Sequence, residues 1–252
     1  MMDKRLSPIY KNKMDFVDEN LSVNAGHLLD VGCGEGHYFS LYKKRNLAFK
    51  GIDIDPSMLV NLKKYSVTCA DVQKLPFNSS AFDTIVCIDV LEHVKKDKKA
   101  IAEICRVLKN NGKLIFSVPN KKYPFFYDPI NRFLGLFNLH IPIGMWAWGH
   151  HRLYTEEEIK KLLVDAGFKI TKYEPRSHFL LALSINYTTY IANYILIPLL
   201  KVVGLKNKAT FRIKPGLENN SIYKLFNLIN KLDKKYFSNF SSINHCFIAK
   251  KI

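Results

Sequence analysis

A chain of 252 residues that is 48% hydrophobic and 13% aromatic can fill one substantial core, which excludes a wholly disordered protein and leaves little room for two full catalytic domains. The net charge of +16 would attract nucleic acid, anionic lipid or an acidic substrate alike, so it selects none of them; much of the excess, as at Lys95, Lys96, Lys98 and Lys99, reads as a solvated helix face. Cys33, Cys69, Cys87, Cys105 and Cys246 are widely spaced without a CxxC pair, which predicts a reducing, cytoplasmic setting, and residues 1–15 lack the apolar stretch of a secretory signal.

Short β-branched runs alternate with amphipathic stretches along the first two thirds of the chain, the pattern of a parallel sheet with helices on both faces. Strands are predicted at His27–Val31, Ala48–Asp53, Val67–Ala70, Phe82–Ile88 and Lys113–Val118. A helix is predicted from Lys96 to Lys109, with Ile101, Ile104, Cys105 and Leu108 on one face and Asn110-Asn111-Gly112 as its C-terminal stop. Residues 119–150 break the alternation with Tyr123, Phe125, Phe126, Tyr127, Trp146 and Trp148, too aromatic for a linker and therefore an insertion. The alternation then resumes. Thr155 and Glu158 form a capping box, Gly167 ends that helix, and Phe168–Tyr173 is a sixth strand.

From Ser177 to Leu200 the chain carries no Lys, Arg, Asp or Glu. Ser184, Asn186, Thr188, Thr189, Asn193 and Pro198 make this run a poor membrane span, and a buried cap helix or a membrane-interface helix stands beside that reading. His245–Lys250 completes the sheet. The expected architecture is thus one α/β domain over 1–252, Rossmann-like. It has a seven-stranded, mostly parallel sheet whose final strand (245–252) is antiparallel, a nucleotide-binding core at 26–118, and apolar insertions at 119–150 and 177–244 after strands five and six.

In LLDVGCGEG, Leu28, Leu29 and Val31 end a strand, while Gly32, Gly34 and Gly36 let the backbone turn and a ligand approach without a Cβ in the way. A second strand ends in Gly51-Ile52-Asp53, which places an acid about twenty residues on to accept ribose hydroxyls. A dinucleotide site is the alternative. Against it, the third glycine follows the second by two residues instead of three, and Asp30 stands where it could meet an ammonium group, which a nicotinamide cofactor lacks. In order, DVGCGEG, GIDID, ADVQKLPF, FDTIVCIDVLEHV, RVLKNNGKLIFSVPN and HHRLYTEEEIKKLLVDAGF resemble the motifs of the class I S-adenosylmethionine (SAM)-dependent methyltransferases, nearest to the ubiquinone-biosynthesis O-methyltransferase type. The resemblance covers roughly Gly26 to Tyr173.

That resemblance implies SAM as cofactor. Asp30 and the turn at Gly32, Gly34 and Gly36 would hold its methionine part and Asp53 its ribose. Ile54, Asp71 and Val72 would lie at its adenine, and Ile88 would line the pocket near the methyl group. Asp55 departs from the family, many of whose members have serine there. If the acceptor is a hydroxyl, His93, His150 and His151 are the candidate bases. Asp89, Glu92 and His93, at i, i+3 and i+4, would share one side of a helical turn and could hold a divalent cation, although LEHV is common in relatives that need no metal. The fourth strand ends in CIDV, without the Asn-Pro-Pro-Tyr type motif, which disfavours methylation of nucleic-acid amines. Both insertions leave the sheet at the strand ends where a cofactor binds and are expected to form a lid. Their apolar character favours a lipid, quinone, isoprenoid or aromatic acceptor methylated on oxygen, near an anionic membrane surface. A soluble metabolite or glycan acceptor, or a basic RNA-binding or non-catalytic SAM-binding protein, are the alternatives.

Overall fold

A computed structural model describes residues 8–23, 25–141, 144–146, 149–183 and 221–252. In chain order the helices and strands are α1 (Pro8–Asn20), β1 (His27–Val31), α2 (Phe39–Lys44), β2 (Ala48–Asp53), α3 (Pro56–Leu59), β3 (Val67–Cys69), β4 (Phe82–Ile88), α4 (Asp97–Val107), β5 (Leu108–Pro119), α5 (Pro129–Leu134), α6 (Glu156–Asp165), β6 (Phe168–Arg176), α7 (Ser221–Phe237) and β7 (Asn244–Lys251). The strands form one seven-stranded sheet in the order β3-β2-β1-β4-β5-β7-β6. β1, β2, β3, β4 and β5 pair in parallel and β7 runs antiparallel to β5, with Phe116 opposite Phe247. The architecture is the Rossmann-like one expected from the alternating pattern.

The two central strands explain why the sheet forms where it does. Leu28, Leu29 and Val31 on β1 and Ile85, Val86 and Cys87 on β4 are buried on both faces, as near-continuous apolar runs require. Ile101, Ile104 and Val107 of α4 bury one helical stripe in the same core. The strand order reverses between β1 and β4, so the crevice beyond their C-terminal ends is where this topology places a ligand.

The boundary between α4 and β5 differs most from the sequence pattern, while β3 ends one residue earlier and β6 runs three residues further than expected. α4 ends at Val107, and Leu108, fully buried and extended, is already the first residue of β5 opposite Phe82. Asn110-Asn111-Gly112 is therefore no helix stop. The pairing moves from Phe82 with Leu108 to Thr84 with Lys113, so these residues bulge out of β5, with Asn111 in the left-handed region at φ 60°. Core pairing of Leu108 outweighs the helical period that seemed to include it. Trp148 and residues 184–220, which hold most of the uncharged run, lie outside the described residues.

The chain divides into two compact units. One consists of residues 16–121, 149–174 and 244–252 and contains nearly all of the sheet. The other consists of residues 1–15, 122–148 and 175–243. Within it, Asp128 caps α5 by accepting from the Asn131 amide and also accepts from the Met145 amide. Asp233 of α7, buried, accepts backbone N–H groups of His178, Leu180 and Leu181.

The five cysteines are unbridged, and Cys33, Cys87 and Cys246 are buried. The capping box is complete: the Glu158 amide donates to Thr155 Oγ1 and the Thr155 amide to Glu158 Oε2. Thr155→Ala should lower unfolding free energy in urea by about 1 kcal/mol. Combining it with Glu158→Ala should cost less than the sum of the two, because each substitution already breaks the reciprocal pair.

Candidate active site

The turn after β1 is built around Asp53. Gly32, Gly34 and Gly36 all have positive φ, at 70°, 51° and 75°. A Cβ at Gly32 would stand 2.3 Å from Val90 Cγ2, so the turn closes directly on the loop after β4, whereas a Cβ at Gly34 would meet only the His37 ring at 3.7 Å. The Gly34 amide donates to Asp53 Oδ2 at 2.8 Å and the Asp55 amide to Asp53 Oδ1 at 3.0 Å. Asp53's own carbonyl accepts from the Ala70 amide after β3. Three loops are thereby fixed by one residue at the end of β2.

Asp55, which departs from the family pattern, is the N-cap of α3: its carboxylate accepts from the Ser57 amide at 2.8 Å, just ahead of Pro56 at the first helical position. Ile54, between the two aspartates, is 67% exposed, an apolar side chain left open at the strand end. Asp71 is held by Gln73, whose amide and side-chain nitrogen both donate to it, and Val72 beside it is buried. Gln73 was not singled out in the sequence.

Asp30 is buried at the centre of the sheet, where Tyr42 Oη donates to Oδ2 at 3.1 Å. Burial pushes its pKa up to about 8; the Tyr42 hydrogen bond works against this and the charge of Asp53 adds to it. A carboxyl this costly to ionise becomes favourable to ionise once a cation sits beside it.

The histidines sort into two groups. Residues 91–93 form a single 3-10 turn after β4 instead of an α-helical turn. Asp89 precedes it in the left-handed region at φ 54°, its amide bonded to the Ser117 carbonyl and its carboxylate accepting from Ser117 Oγ at 2.8 Å. Asp89 is therefore turned to β5 and does not join Glu92 and His93, a correction to the spacing argument, which assumed α-helical periodicity. His150 takes that place. Its ring packs edge-to-face on His93 at 4.8 Å between centroids, and the ligand atoms of Glu92, His93 and His150 all lie within 4.8 Å of one another. Glu92 is buried, His150 half-buried and His93 exposed. His151 is exposed and contributes its backbone, the amide donating to the Glu92 carbonyl at 2.8 Å.

A polar network sets this meeting. Arg152 pairs with Asp97 at 2.6 Å and donates to the Lys95 carbonyl, while Tyr154 Oη reaches Asp97 at 3.1 Å. Burial works against the Asp97 charge, but the Arg152 guanidinium prevails and holds the carboxyl below its ordinary range. Residues 150–154 are thus fastened to 91–97 across a long stretch of sequence.

Comparison with known proteins agrees with this geometry. A methyltransferase domain family matches residues 29–116, from the middle of β1 to the middle of β5. Over that segment the chain is similar to methyltransferase domains. An uncharacterized protein of Methanocaldococcus jannaschii is 40% identical over 112 residues, 44% of each chain. A ubiquinone biosynthesis O-methyltransferase of Coxiella burnetii is 28% identical over 149 residues, 56% of this chain and 63% of that one. The chain thus spans 44% and 63% of the lengths of these two relatives. Among solved structures, phosphoethanolamine N-methyltransferase 2 of Haemonchus contortus in complex with SAM has the same fold at a TM-score of 0.62 and 17% identity. That similarity covers 96% of this chain and 52% of that one.

The residues at this edge fit SAM. The open backbone at Gly34, a carboxylate whose position is fixed at Asp53, the uncovered Ile54 and a buried acid at Asp30 are what ribose hydroxyls, an adenine face and an ammonium group need. Because Asp30 must ionise to meet a cation, SAM affinity should rise about tenfold per pH unit below about 8 and level off above it. Calorimetric titration of Asp30→Asn should show weaker binding and no such slope. The same proton is held more tightly folded than unfolded, where aspartate titrates near 3.8, so Asp30 lowers stability progressively as pH rises to about 8. The free Asp30→Asn protein should therefore melt higher than the parent at about pH 8 and not at about pH 4.

Proposed function

We propose that the protein transfers the methyl group of SAM to an oxygen of a hydrophobic acceptor of the lipid, quinone, isoprenoid or aromatic class, working at an anionic membrane surface. The observation that carries this reading lies in α7. Leu225, Leu228, Leu232 and Tyr236 recur at helical spacing and are 53%, 53%, 37% and 61% exposed, and Lys224, Lys231, Lys234 and Lys235 stand beside them. An apolar stripe flanked by lysines is the composition of a helix that lies in a headgroup layer. In the same unit, Phe133, Leu136 and Phe137 are 60%, 76% and 63% exposed. Large apolar side chains this exposed mark interaction surfaces. No helix among the described residues is long and apolar enough to cross a membrane. The name of the Coxiella burnetii relative, an O-methyltransferase of ubiquinone biosynthesis, supports both the acceptor class and the atom.

Bound SAM supplies an electrophilic methyl group on a sulfonium. The chain then has little chemistry left to perform: it must hold an acceptor oxygen in line at about 3 to 3.5 Å and keep water out. Asp53 and the glycine turn fix the donor end. A hydroxyl acceptor loses a proton as it is methylated, and His93, five residues beyond Ile88, and His150, brought in from the segment after residue 148, are the imidazole pair at this edge of the sheet.

Labelled SAM incubated with fractionated cell extract should place the label in an organic-soluble product; label in aqueous metabolites, glycan or RNA would refute the acceptor class. On vesicles with anionic headgroups at low salt the protein should float with the lipid. Replacing Leu228 and Leu232 by Ser should return it to the soluble fraction without lowering its melting temperature. Flotation unchanged by these substitutions would remove α7 from the proposal.

A further inference from the structure

We infer that Glu92, His93 and His150 form a mononuclear site for a divalent transition metal of the zinc type, with positions left open for an oxygen ligand. Three donors from one carboxylate and two imidazoles approach within 4.8 Å of one another, close enough that small side-chain rotations bring them to a common ion at bond lengths of about 2.0–2.2 Å. The donor types decide the metal. Two nitrogens and one oxygen suit zinc, iron, cobalt or nickel, whereas magnesium prefers an all-oxygen shell with several waters. The set suggested by sequence, Asp89, Glu92 and His93, has two carboxylates and would lean toward magnesium. With Asp89 bonded to Ser117 and His150 in its place, that preference is reversed.

The burial pattern matches an ion site open to one side. Glu92 is 1% exposed, so its charge sits where a cation is worth most, and His93 is exposed, leaving the outer face of the cluster accessible to solvent or substrate. The backbone is fixed around it as ligand geometry demands: the His151 amide bonds the Glu92 carbonyl, and the Arg152 and Tyr154 contacts to Asp97 lock the two segments together. Three protein ligands with a vacant position is the form of a catalytic site, not a structural one. For the role of the ion, the inference rests on the reading that oxygen is methylated. There the open position would bind the acceptor hydroxyl and lower its pKa, so that both imidazoles serve as ligands instead of bases: the proton leaves to solvent, the oxygen electron pair forms the bond to the methyl carbon, and the carbon–sulfur bond breaks to leave S-adenosylhomocysteine.

The test is Co2+ titration of the full chain, followed by its visible absorption, with Zn2+ competition and equilibrium dialysis. One Co2+ per chain should bind with intense low-symmetry bands, be displaced by Zn2+ and resist excess Mg2+. His93→Ala and His150→Ala should each weaken binding by more than the ~10–100-fold that loss of an outer-shell partner causes, whereas His151→Ala and Asp89→Asn should leave it unchanged. In the unsubstituted chain, Zn2+ should protect two histidines from diethyl pyrocarbonate, a reading that needs no variant to fold. No stoichiometric binding, binding indifferent to both His93→Ala and His150→Ala, or equal loss in Asp89→Asn would each overturn the site. Metal binding without an O-methylated product would fell the oxygen reading and leave the site standing. Full-rate O-methylation by a chain that binds no metal would do the reverse.

Discussion

The hydrogen bond from the Gly34 amide to Asp53 is the constraint on which the site depends. It joins the turn after β1 to the end of β2, and through Asp55 and Ala70 the same residue also sets the start of α3 and the chain beyond β3. A side chain at Gly32 would collide with Val90, so the loop after β4 is drawn into the same assembly. Four strand ends are therefore placed relative to one another by one aspartate, through its carboxylate and its backbone carbonyl, and by one missing Cβ. The binding edge is preorganised because its polar groups already have partners in the free chain.

A second consequence is electrostatic. The sheet buries Asp30 where its ionisation is costly, with one tyrosine hydroxyl for support. Such a group is a poor contributor to stability and a good receptor for a cation, a trade common where binding and folding place opposite demands on one residue. Glu92 is a second buried acid, beyond β4. Its carboxylate lies within 4.8 Å of a ring nitrogen of each of two imidazoles.

Much of this was legible in local sequence. The glycine turn and Asp53 are separated by one strand-helix-strand unit, so spacing alone placed them together, and the Thr155–Glu158 capping box spans four residues. Asp55 had a readable signal as well, an aspartate directly before a proline at a helix start. Contacts across many residues were not legible. His150 meets His93 only because Arg152 and Tyr154 reach back to Asp97, and no period in the sequence encodes that return. Asp89 failed for a different reason: an i, i+3, i+4 pattern presumes α-helical geometry, and a left-handed residue followed by a 3-10 turn points the acid elsewhere. The bulge at Asn110-Asn111-Gly112 shows the same limit, since burial of Leu108 against Phe82 decided a boundary that helix signals placed later.

The central claim, that the turn pinned by Asp53 is a SAM site and not a dinucleotide site, is tested most directly by calorimetric titration of the full chain with SAM, S-adenosylhomocysteine and NAD. The account predicts one site per chain for both sulfur ligands, lost in Asp53→Ala, and no heat from NAD. Binding of NAD in competition with SAM, or SAM binding indifferent to Asp53→Ala, would contradict it.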